Sequence, residues 1–134
     1  MTVRDRYEGI QTVLGRCFDG GCHFLTLCTI VEEACTRKLD LIDAIRRSMS
    51  KGWFKSDFTG VDAIAFLEFY TGCHWTRETV KVLPVLKQNQ YSEAIYYNPR
   101  TKMHHYRRRG FDVLEDSVTV REGYIEAYHI YTCD

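Results

Sequence analysis

Apolar positions repeat with a helical period through the first half of the chain and alternate as in strands through its last third. Phe24, Leu27, Cys28, Val31, Ala34 and Cys35 form an i, i+3, i+4, i+7 stripe that predicts an amphipathic helix. Leu41, Ile42, Ile45 and Met49 predict a second helix, with Gly52 at its C-cap. Thr59 and Asp62 have the form of a capping box ahead of a third, which carries Val61, Ile64, Ala65, Leu67 and Phe69 and ends at Gly72. Strand character follows over 79–86, 92–97, 103–108, 111–115, 118–121 and 124–131, with Glu122-Gly123 as a tight turn between the last two. Helices first and an antiparallel sheet second predict a segregated α+β fold.

The length of 134 residues predicts one domain spanning 1–134, large enough for a core without staples. Lys plus Arg and Asp plus Glu number 18 each, so no net charge draws the chain to nucleic acid or an anionic membrane. No apolar run is long enough to span a bilayer, and the charged N-terminus lacks the apolar core of a secretory signal. A cytoplasmic protein is expected. The six cysteines, at 17, 22, 28, 35, 73 and 133, are then read as reduced thiols with separate roles.

Helical geometry separates those thiols. Cys28 and Cys35 fall within the apolar stripe and read as small core residues. Cys22 falls on the other side, in the first turn and behind Gly20-Gly21. Unpaired N–H groups and the positive end of the helix dipole are the conditions that lower a thiol pKa and favour a nucleophile. His23 beside it reads as a polar surface or rim residue. A thiol nucleophile needs a base, and the base an orienting group. His104 and His105 open one predicted strand, and Glu115 and Asp116 close the next across a turn at Arg109-Gly110. Because adjacent strand residues face opposite ways, only one imidazole can serve; His105 is the preferred candidate.

Gly-Cys-His-Phe-Leu at 21–25, Lys-Gly-Trp-Phe at 51–54, the late His-aromatic segment with an acid ending a strand, and the closing 118–131 segment resemble small papain-like cysteine peptidases. The resemblance is to the bacteriocin-processing type and to short bacterial and phage relatives. It implies a papain-like fold and hydrolysis of peptide or amide bonds without a cofactor. It further implies Cys22 as nucleophile, His105 as base and Asp116 as the residue orienting it. The family's oxyanion Gln has no counterpart just upstream, where Arg16 and Cys17 stand and the nearest Gln is Gln11. Tyr106-Arg107-Arg108-Arg109 also departs from the usual apolar strand.

Two other constellations stand in the sequence. Cys17, Cys22, His23, Cys73, His74, His104 and His105 lack the short knuckle spacing of a zinc site, so no metal is expected. Cys73-His74-Trp75 reads as a turn with a packed Trp. Arg100, Lys102, Arg107, Arg108, Arg109 and Arg121, interleaved with Tyr96, Tyr97 and Tyr106, describe the rival function: a non-catalytic module binding a protein or single-stranded nucleic acid on its sheet. The tyrosines would equally suit a homodimer seam.

Overall fold

The computed structural model describes residues 21–55, 60, 62–108 and 122–134. Three helices precede a four-stranded antiparallel sheet among these residues, so the α+β arrangement is as expected. The helices are α1 (Cys22–Cys35), α2 (Leu41–Ser50) and α3 (Ala63–Thr71). The strands are β1 (Trp75–Val80), β2 (Gln90–Asn98), β3 (Met103–Arg107) and β4 (Tyr124–Cys133), in spatial order β1-β4-β2-β3. The expected strands at 111–115 and 118–121, with Glu115, Asp116, Thr59 and Cys17, lie outside the described residues.

Helix α1 is the centre of the molecule. Its residues from Phe24 to Val31 are buried on every side, as befits a helix wedged between other helices and a sheet. One side packs with Phe54, Phe66, Leu67, Trp53 and Tyr70 in the main apolar core. Phe24 meets Phe54 and Phe66 edge-on, at ring separations of 5.5 and 5.8 Å, an arrangement aromatic quadrupoles favour. The other side of α1 lies on the sheet. Helix α2 starts at Asp40, whose carboxylate accepts from the Asp43 N–H; it buries Leu41, Ala44 and Ser48 and leaves Ile42 exposed. Helix α3 starts one turn later than the predicted capping box. Asp62 is itself the N-cap and accepts from the Ala65 N–H at 3.0 Å.

The first strand also differs from expectation. It runs over Trp75–Val80 rather than 79–86 and pairs with the end of β4, Trp75 opposite Cys133. The apolar residues Val82, Leu83 and Val85 that suggested a strand are exposed, in a segment interrupted by Pro84. Proline has no N–H to give a ladder, so this run cannot extend the pairing. In β4 one extra residue disturbs the register between Ile95↔Ala127 and Tyr96↔Ile125. No helix among the described residues is long and apolar enough to cross a membrane.

Candidate active site

Gly21 explains the glycine before the cysteine. Its φ of 116° lies in the left-handed region, which a side chain would strain, and it caps α1 without a side-chain hydrogen bond. The first intrahelical bond runs from the Leu25 N–H to the Gly21 carbonyl at 2.9 Å. The N–H groups of the first turn therefore precede the helical ladder, and Cys22 stands among them. Backbone hydrogen bonds from Tyr106, from His23 and from Cys22 itself stabilise its thiolate form. Burial outweighs them, and the nearby Glu93 charge adds to it, so the Cys22 pKa is raised rather than lowered. The helix end is prepared as expected, but at rest the site holds a thiol and not a thiolate.

The opposing charge comes from a residue that sequence reasoning passed over. Glu93, in the middle of β2, is fully buried and turned toward α1. Its Oε2 accepts from His23 Nδ1 at 2.7 Å and from the Thr26 hydroxyl. Its Oε1 accepts from His129 Nδ1 at 2.9 Å and from the Tyr131 hydroxyl at 3.1 Å. Four donors thus fill the roughly four lone-pair positions of one carboxylate. Burial alone would raise the Glu93 pKa, but the charge of His23 and the hydrogen bonds of His129, His23 and Thr26 bring it down to about 2. Burial, and after it the same charge, pushes the Tyr131 phenol well up, so it remains a donor. A carboxylate only accepts, so both imidazoles present Nδ1–H to it and leave Nε2 as the nitrogen that gains or gives a proton.

The two imidazoles differ in their surroundings. The His23 ring stacks on Tyr106 at 4.5 Å, and its Nε2 edge lies against Gly60 so closely that a Cβ there would approach Cδ2 to 2.8 Å. His23 is thus an interior partner of Glu93, not the surface or rim residue expected. The expectation failed because its partner is in a strand far along the chain. His129 comes from the sheet, across from the helix that carries Cys22, with its ring 6.3 Å from Tyr106. Tyr106 therefore joins the parts: its backbone bonds Cys22 while its ring lies beside both imidazoles.

The predicted base is placed otherwise. Tyr106 and Arg108 face α1, Arg108 reaching Thr29 at 3.1 Å and Glu33 beyond it. Strand alternation then turns His105 and Arg107 to the opposite face, where Arg107 lies over Tyr96 at 5.4 Å. His105 is buried there, paired with Tyr96 across β2 and β3. The structure thus brings β3 onto Cys22 but directs the His105 side chain away from it; Asp116 lies outside the described residues. His104 shares the Tyr106 face and pairs with Glu126 at 3.1 Å, beside Tyr97 and Tyr124.

Alternation likewise divides the basic, tyrosine-rich run. Tyr97, Tyr106 and Arg108 face the α1 side, Tyr96 and Arg107 the other, and Arg100 pairs with Glu122. No group of three or more His, Cys, Asp or Glu among the described residues is arranged to hold a metal ion. No protein-family model, curated protein or solved structure matches this chain.

Proposed function

We propose that this chain is a cysteine-dependent hydrolase of peptide or amide bonds, papain-like in plan, with Cys22 as nucleophile, His129 as base and Glu93 as the residue orienting it. The observation that carries this reading is the saturated Glu93 carboxylate, which holds the Nδ1 of two imidazoles and whose charge also reaches the Cys22 thiol at the start of α1.

Because Cys22 rests as a thiol, deprotonation accompanies attack. His129 Nε2 takes the thiol proton as sulfur adds to the carbonyl carbon, and Glu93 stabilises the imidazolium that forms. The N–H groups of the first turn of α1 are the donors available to the oxyanion, in place of the missing Gln. The imidazolium then protonates the departing amine, leaving a thioester on Cys22 that water hydrolyses with the imidazole as base.

The test uses p-nitrophenyl acetate as an acylating probe. Peptide mapping after brief exposure is expected to find the acetyl group on Cys22, and Cys22→Ala is expected to lose both the label and the release of nitrophenolate. Equal acetylation of all six thiols would overturn the assignment. The rival binding module, with Tyr96 and Arg107 as its contact surface, predicts full biological activity in Cys22→Ala.

A further inference from the structure

Beyond His129 on β4, three thiols from separate elements line one cleft of about 620 Å³. Cys35 ends α1, Cys73 follows α3, and Cys133 ends β4. The backbone holds the last two side by side: Trp75 is the pairing partner of Cys133, and the Asp134 N–H donates to the His74 carbonyl at 2.9 Å. Cys73 is near enough to Cys133 to raise its pKa, with the Cys73 thiol directed at the Thr71 carbonyl at 3.6 Å and the Cys133 thiol at the Asp134 carbonyl at 4.0 Å. Cys35 lies at the end of α1, on an element that is not paired with β4, with its thiol directed at the Tyr70 carbonyl at 4.0 Å. Cys73 is exposed, whereas Cys133 is only partly so.

We propose that Cys73 and Cys133 are a dithiol modification site for low-molecular-mass disulfides, closing to an intramolecular disulfide that ties the end of β4 to the turn between α3 and β1. No hydrogen bond or ion pair found among the described residues joins this pair to Glu93, so the proposal stands apart from the hydrolase reading.

The order of events follows from the surroundings. Burial, then the hydrogen bond and charge of Cys73, push Cys133 up to about 11, so it does not start the exchange. The exposed Cys73 attacks as thiolate, forms a mixed disulfide and expels one thiolate. With its sulfur in that bond, Cys73 carries no charge to oppose the Cys133 thiolate. Cys133 then gives its proton to water and attacks the Cys73 sulfur, expelling the second thiolate, which takes up a proton. With oxidised glutathione, two protein thiols are oxidised and one disulfide is reduced to two glutathione molecules.

The full reduced chain is exposed to oxidised glutathione at mildly alkaline pH, quenched with acid and mapped without reduction. The expected first cross-link is Cys73–Cys133, with a higher Tm because the link restrains the unfolded chain. Cys133→Ser is expected to stop at a glutathione adduct on Cys73, and Cys73→Ser to leave Cys133 unmodified over the same time. A first cross-link involving any other cysteine overturns the proposal. So does a wild-type product that stops at mixed disulfides. The wild-type map decides the matter even if a variant does not fold.

Discussion

The two packed sides of α1 are built on opposite principles. Toward α3 the helix presents Phe24, Leu27, Cys28 and Val31 to a cluster of aromatic rings, and any side chain of similar volume would serve there at modest cost. Toward the sheet it presents His23, Thr26, Thr29 and Glu33, each bonded to a charged residue of β2 or just past β3. Removing area from one side weakens packing in proportion to the cavity left behind. Removing one partner from the other leaves charges buried without compensation, and for the same reason such a cluster can hold a reactive geometry that an apolar core cannot. The first side supports the fold, and the second is where the proposed chemistry resides.

Substitutions on each side test that contrast. Phe66→Ala on the apolar side is expected to cost about 3–5 kcal/mol in denaturant unfolding, with acylation per folded molecule unchanged. Glu93→Gln is expected to cost about 3 kcal/mol, since it strands the donors that the carboxylate satisfies. It also separates two readouts. Loss of the charge lowers the Cys22 pKa and speeds its alkylation by iodoacetamide, while loss of the imidazole's orientation slows acylation by p-nitrophenyl acetate. If both rates moved together, Glu93 would have only a structural role.

The same carboxylate sets an acid limb. Its pKa is lowered from 4.5 to about 2 on folding, so its stabilisation is present above the ordinary carboxylate value and is lost as pH falls from 4.5 toward 2. Wild-type Tm is expected to fall across that window more steeply than that of Glu93→Gln. Smaller effects follow further from the charge. Thr26→Val removes one donor to Glu93 and is expected to cost about 1–2 kcal/mol. Asp62→Ala, which only uncaps α3, is expected to cost about 1 kcal/mol with no change in acylation.

The apolar side of α1 was legible in the sequence because its signal is local. Phe24, Leu27, Cys28 and Val31 announce their face by spacing alone, and so place Cys22 at the helix start. The polar side is just as periodic, but a His, Thr or Glu is read as solvated unless its partner is known. Here the partners are Glu93 and Arg108, 67 to 79 residues further along the chain. Glu93 itself, between Ser92 and Ala94 in a strand, looks like a solvent-facing charge. The usable clue was the i, i+3, i+6, i+10 spacing of His23, Thr26, Thr29 and Glu33, a polar stripe on a helix whose remaining positions are almost all apolar. His104 and His105 drew attention through their proximity to a predicted hairpin, and only the register of β2 and β3 reveals which way each ring points.

The most direct test compares His129→Ala with His105→Ala in single-turnover acylation of Cys22 by p-nitrophenyl acetate, with far-UV circular dichroism confirming that both variants fold. The account predicts a loss of about 10²–10⁴-fold for His129→Ala, the usual contribution of a positioned base, and little change for His105→Ala. A comparable loss confined to His105→Ala would contradict it and return the base to the opposite face of the sheet.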